Sequence, residues 1–367
     1  MPGRQEETSR GSSTSRPPTP SRRRRNLRIA AAVAVLAGIF VGAFPQFASY
    51  SDAWRAAARI GPLWWFGLAV ATVVAQVSAV WIYQAALPGL RLRDGLVQIE
   101  TTSAIASTVP AGGAVAIAVS YRMFASFGFS DEGISTAVVV TGVWNVAAKL
   151  VLPVVAVGLL ALTAHPPEAA VVAAGVGAAI AVVAGVGLWL TFRSETVARR
   201  LGRGTDRAVN WLGARRHRPA SDRIERAALD FRAQTVDTVR GRGRLLTGAA
   251  LGAQLVAIAL VLLVVRSVGI PAGRVSFVAV LTSFSMARLA GALPITPGGL
   301  GTVDSAFIGA LAAFGAKTSS ALAADLVWRT STYLFPTLVG VVAYVIWLRR
   351  DAARPRTAAT SPPANGS

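Results

Sequence analysis

Apolar runs about as long as a bilayer is thick recur along this chain, and they predict membrane helices rather than the alternating faces of a water-soluble core. Six runs, at 27–44, 62–87, 134–163, 168–192, 245–265 and 319–348, each predict a transmembrane helix. The run at 62–87 carries Trp64 and Trp65 at one end and Trp81 and Tyr83 near the other, the aromatic belt expected at the two membrane interfaces. A short interfacial helix is predicted within 48–60, and His165-Pro166-Pro167 separates the third run from the fourth.

Two further apolar regions break in the middle. Residues 95–127 are interrupted by Val109-Pro110-Ala111-Gly112-Gly113, and residues 275–314 by Leu293-Pro294-Ile295-Thr296-Pro297-Gly298-Gly299-Leu300-Gly301. Proline and clustered glycine stop a helix, and pieces of about 14–17 residues reach only ~21–26 Å, short of the ~30 Å hydrocarbon core. Each region is therefore expected to be a re-entrant helical hairpin, with one kinked helix as the alternative.

Composition and charge complete this picture. Hydrophobic residues make up 53% of the 367 and charged residues only 15%, where a soluble domain has about a quarter charged. The net charge of +20 would suit a nucleic-acid binder, but the arginines cluster between apolar runs, which is the cytoplasmic bias of membrane proteins. No nucleic-acid role is expected. Absence of cysteine and the presence of only two histidines, His165 and His217, exclude thiol chemistry and argue against histidine metal sites. No cofactor is expected.

Residues 1–26, ending in Arg22-Arg23-Arg24-Arg25, read as a disordered basic tail. Residues 193–244 hold 14 Arg against 6 Asp and Glu and read as a basic cytoplasmic loop, with a solvated amphipathic helix at 222–240. Residues 349–367 read as a second tail. Placing these segments on the cytoplasmic side of a bacterial inner membrane, with both termini inside, makes the hairpin at 95–127 enter from inside and that at 275–314 from outside. Membrane halves at 27–192 and 245–348 then have opposed topology. Pro110 and Pro297 are 187 residues apart, as are Gly112 and Gly299, Phe127 and Phe314, and Gly128 and Gly315. Trp144 with Trp328 and Pro153 with Pro336 follow at slightly shorter offsets. The expected architecture is thus all-α and polytopic: about six transmembrane helices plus two oppositely oriented re-entrant hairpins in an inverted repeat, as in many transporters.

Ionisable residues at membrane depth carry an insertion penalty of roughly 2.5–3.5 kcal/mol, so each is a candidate for function. Glu100, Lys149 and Arg288 have apolar neighbours and no partner nearby in sequence. Asp325 and Arg329 are spaced i,i+4, which also suits an internal ion pair. Asp304 follows Gly301-Thr302, where it would equally stabilise a helix start. Arg122, beside Tyr121, reads as a snorkelling interfacial arginine. Arg288 precedes the Pro-Gly break, whose amides could face a phosphate.

The segment Pro294-Ile295-Thr296-Pro297-Gly298-Gly299-Leu300-Gly301-Thr302-Val303-Asp304 resembles the signature of the lysylphosphatidylglycerol synthase transmembrane-region family, flippase-like proteins related to the membrane half of the multiple peptide resistance factor. Arg329, Tyr333, Pro336 and Gly340, spaced by four, three and four, are similar to that family's closing helix. The family usually has glutamate at the position of Asp304, and the first hairpin lacks the acid of a Pro-Gly-x-x-Gly-Glu pattern. The resemblance implies lipid handling without the aminoacylating chemistry of a soluble synthase domain, so no enzyme is expected. The leading expectation is a flippase-like transporter or lipid-binding protein acting on a phosphate-bearing amphiphile, a phospholipid or a polyprenyl-phosphate carrier, with Arg288, Arg329, Asp304 and Glu100 on its polar path and no ATP-binding loop. Lys149, Asp325 and the backbone of Pro297, Gly298, Gly299 and Gly301 complete the candidate binding set. The alternative is a non-transporting accessory or scaffold subunit for a cell-envelope lipid or glycan enzyme, docked through the basic loop. An intramembrane enzyme using Asp304 with Asp325 is the third reading.

Overall fold

A computed structural model describes residues 55, 58–108, 112–162, 168–193, 223–291, 299 and 301–353. The expected first span at 27–44, the tail at 1–26, residues 354–367 of the second tail, most of the 48–60 segment, and Pro110, Pro297, Gly298 and His217 lie outside the described residues, whereas 349–353, expected as tail, are helical. All regular structure within them is helical. The helices are α1 Pro62–Ala86, α2 Leu92–Thr108, α3 Gly112–Ser126, α4 Asp131–Ala161, α5 Glu168–Arg193, α6 Arg223–Ser267, α7 Phe277–Ala290, α8 Thr302–Ala313, α9 Thr318–Arg329 and α10 Phe335–Ala353, with a π-helical turn, Thr330–Leu334, joining the last two.

Four stretches among the described residues are long and apolar enough to cross a bilayer: Pro62–Ala86, Asp131–Ala161, Gly241–Ser267 and Thr318–Asp351. Their outer faces expose valine and leucine, among them Val73, Val151, Val155, Leu251 and Leu255. Such continuous apolar surface needs lipid as its solvent. The expected span at 168–192 is helical too, as the 26 residues of α5.

Both broken regions form pairs of short helices rather than one kinked helix. α2 and α3 are 17 and 15 residues long and pack against each other, and so do α7 and α8, at 14 and 12. The final apolar run is not one uniform α-helix, because a π turn interrupts it between α9 and α10 just ahead of Pro336. The amphipathic stretch expected to lie apart from the span at 245–265 is instead continuous with it, and α6 runs unbroken for 45 residues. The reason is local. No proline occurs between 223 and 267, so no backbone donor is lost along the way.

The order long helix, glycine turn, short helical pair, glycine turn, long helix occurs twice. Its second glycine turn has matching geometry in both copies. Gly128 ends α3 with φ 96°, and Gly315 ends α8 with φ 93°. In each, the next residue closes back over the turn: the Phe129 amide donates to the Phe124 carbonyl at 3.2 Å, and the Ala316 amide to the Leu311 carbonyl at 3.0 Å. This left-handed cap, a glycine specialty, gives the 187-residue offset a conformational basis.

Buried hydroxyls do not disrupt this packing. Thr282, Ser283 and Ser285 of α7 donate to the Val278, Ala279 and Leu281 carbonyls at 2.8, 2.8 and 2.7 Å, so each polar group is satisfied within its own helix. α10 lies against α2, and Gly340 lets the two backbones approach closely. A Cβ there would run into the Glu100 carbonyl and come within 2.8 Å of the Ala104 methyl. We expect Gly340→Ala to push the two helices apart at a cost of about 1–3 kcal/mol, read as a lower thermal midpoint of the purified protein in detergent.

Candidate functional site

One arginine links the described end of the second break to the start of α8. Gly299 and Gly301 take φ of 69° and 83°, left-handed conformations that glycine adopts at little steric cost. Gly301 precedes α8, and its amide donates to Asp304 Oδ2 at 2.6 Å. The other carboxylate oxygen, Oδ1, pairs with Arg329 Nε, and Arg329 Nη2 donates to the Gly299 carbonyl at 3.1 Å. Asp304 is 3% exposed and Arg329 17%, so this ion pair is shielded from water. Asp325 sits one turn before Arg329, buried, near enough to Asp304 and Arg329 for their charges to act on it. Its Oδ1 has no hydrogen-bond partner among the described residues. The i,i+4 spacing thus belongs to a three-member cluster, whose strongest described link reaches α8 rather than staying on α9.

The same helix also fastens the first break. Arg329 lies over the Tyr333 ring, 5.9 Å from its centroid. The Tyr333 hydroxyl donates to the Ser107 carbonyl at 3.1 Å, and the Ser107 and Thr337 hydroxyls meet at 3.2 Å. Ser107 is in the last turn of α2, next to the break at 109–111. The π turn carries Tyr333 and lies between Arg329 and Thr337, and such turns recur at functional positions. Both broken pairs are therefore tied to the one run of helix that spans α9, the π turn and α10.

Glu100 is buried in α2, where its Oε1 accepts from Gln76 Nε2 of α1 at 2.6 Å and its Oε2 has no partner among the described residues. Gln76 in turn faces a cavity of about 660 Å³. Of the candidate residues, Lys149 and Arg288 line this cavity. Asp304, Asp325 and Arg329 are not among its lining residues, although their chain neighbours Val303 and Trp328 are. Glu100 lies behind Gln76. The polar path expected from sequence is thus divided into a cavity with two cations, an ion cluster at the break, and a carboxyl beneath an amide.

Arg288 is in the last turn of α7. Its Nη2 donates to Gln254 Oε1 of α6 at 3.3 Å, its guanidinium lies 5.6 Å from the Phe284 ring centroid, and its Nε is buried without a partner among the described residues. Lys149 reaches the cavity from α4, half-buried, near enough to Arg288 for the two positive charges to repel. No Asp or Glu is among the described residues lining the space. Hydroxyls and amides supply the rest of its polarity, including Gln76, Thr141, Asn145 and Gln254. Sequence reasoning missed Gln76 and Gln254 because it weighed only ionisable groups. An amide inside an apolar span was the available signal, since it too needs a partner in lipid.

The profile of the lysylphosphatidylglycerol synthase TM region matches residues 28–340 of the chain. A UPF0104 membrane protein of Methanocaldococcus jannaschii is 38% identical over 72 residues, which cover 20% of this chain and 21% of that relative. The aligned stretch therefore spans about a fifth of the relative's length.

Proposed function

Because this chain belongs to the lysylphosphatidylglycerol synthase transmembrane-region family, we propose that it is a flippase-like lipid transporter, which binds a phosphate-bearing amphiphile within the membrane and carries its head across. The observation that carries this reading is the cavity with two cations and no carboxylate in its described lining. Two like charges held near each other away from bulk water repel strongly. An anion between Arg288 and Lys149 removes that repulsion and meets the buried donors that lack acceptors. A lipid phosphate brings such an anion together with acyl or isoprenoid chains suited to the exposed valine and leucine faces.

In this reading the paired short helices α2–α3 and α7–α8 are re-entrant hairpins entering from opposite sides, and the two copies of the helix order form an inverted repeat. Matched caps at Gly128 and Gly315 support that relation. The protein is placed in the bacterial cell membrane with both termini in the cytoplasm, where the arginine-rich start of α6 meets the positive-inside preference. Asp304 commits both carboxylate oxygens to Gly301 and Arg329, which supports a structural rather than a catalytic use of the acid pair. Movement then runs on a lipid or ion gradient.

The test is movement of a fluorescent anionic phospholipid between leaflets of vesicles containing the full chain. Arg288→Gln is expected to slow it at least roughly tenfold, the effect of losing a hydrogen-bonded charge worth about 1.5–3 kcal/mol. An unchanged rate in a correctly inserted variant would remove Arg288 from the path.

A further inference from the structure

We propose that the head taken by this cavity is a dianionic phosphate monoester or diphosphate, and that zwitterionic, singly charged and aminoacylated phospholipids are disfavoured. This rests on the reading above and narrows it. Lys149 and Arg288 contribute two positive charges, and no acidic residue among the described lining offsets either. A single phosphodiester charge leaves one cation uncompensated in a low-dielectric space. A head that carries an ammonium sets it beside two cations with no carboxylate to receive it. Like-charge juxtaposition of that kind works against the wrong partner.

The hydrogen-bonding inventory points the same way. Arg288 Nε and Gln254 Nε2 are buried donors without acceptors among the described residues. The orientation of the Gln254 amide follows from its own bond, since Oε1 accepts from Arg288 and turns Nε2 away as a free donor. With the Lys149 ammonium, this makes three donor groups, contributed by α4, α6 and α7. A terminal phosphate offers three oxygens that, when dianionic, only accept. A phosphodiester has two such oxygens and a second ester oxygen of little basicity. Count and charge therefore both match the monoester. Because α4 belongs to one copy of the helix order and α6 and α7 to the other, the same head would bridge the two.

The experiment is a binding titration of the purified full chain in detergent at pH 8, followed by the shift in thermal midpoint. Phosphatidate, phosphatidylglycerol, phosphatidylcholine and soluble glycerol phosphate are the probes. Phosphatidate is expected to bind about tenfold more tightly than phosphatidylglycerol, with phosphatidylcholine weaker still. Arg288→Gln and Lys149→Gln should each bring the first two to near parity, while Arg288→Lys, which keeps the charge, should retain most of the preference. Equal binding of phosphatidate and phosphatidylglycerol by the unaltered chain, still weakened by Arg288→Gln, overturns the dianion class and leaves the anionic-lipid site intact. Lipid binding that ignores both glutamine variants overturns the site and the transport reading together. Glycerol phosphate binding as tightly as phosphatidate supports the monoester head and overturns the lipid as its source.

Discussion

Replacing Arg329 by methionine is expected to cause the largest loss of stability of any single substitution in the described cluster. The change leaves Asp304 and Asp325, both buried, facing each other without their cation. Removing one partner of a buried pair costs about 3–5 kcal/mol, and here Asp304 loses the arginine it is paired with. The same substitution also frees the Gly299 carbonyl and removes the cation above Tyr333, so both broken pairs lose an anchor. Asp304→Asn should be milder. Asp325 remains one turn from Arg329, and an amide can still accept from Gly301. Combining Arg329→Met with Asp304→Asn and Asp325→Asn should recover much of the lost stability, because no ionised group is then left alone. Thermal midpoints of the four proteins in one detergent decide the matter. A triple variant no better than Arg329→Met would mean that the backbone bond to Gly299 dominates, not the charges.

Lys149→Met should have the opposite sign for stability and a large negative effect on function. The lysine has no ion-pair partner among the described residues and lies near a second cation. Methionine keeps the length of the side chain and removes the repulsion. Relief of an unfavourable group of this kind commonly adds about 0.5–2 kcal/mol, which would appear as a higher thermal midpoint. Transport of an anionic lipid should fall at least roughly tenfold in the same protein. A rise in stability with undiminished transport would show Lys149 to be an ordinary interfacial residue. A fall in stability would show that its charge is offset in the folded state.

The four helices of membrane-crossing length among the described residues were legible in the sequence because they are set by local composition. A run of about 20 apolar residues has few stable alternatives to a helix in lipid. The ends of the short helices were legible for the same reason, since proline and glycine act on the backbone nearest them. The offset of 187 residues read from Gly128 and Gly315 corresponded to a pair of matching left-handed caps, since that conformation is a property of single positions. Continuity of α6 was not anticipated, as a change from charged to apolar composition at 244 alters the surroundings of a helix without interrupting its hydrogen bonds.

Partnership was the part that sequence distance concealed. Asp325 and Arg329 looked like a self-contained pair from their spacing, yet the Arg329 fork closes on Asp304 and Gly299, 25 and 30 residues away. Glu100, Lys149 and Arg288 looked alike as isolated charges. Folding gives Glu100 an amide partner on α1, and brings Lys149 and Arg288 together on one cavity with none of the acids among its described lining.

By itself, then, the sequence determined that this is a helical membrane protein, where its helices stop, which family it resembles and which few charges lipid must accommodate. Each of these follows from the free energy of transferring short segments into a bilayer, or from backbone geometry at one residue. Which charges neutralise one another, and which stay without an ion-pair partner among the described residues, was decided only in three dimensions. That choice depends on packing α4 against α6 and α7, and α9 against α8. That packing separates an ion pair at the break from two cations that share a cavity with no acid in its described lining.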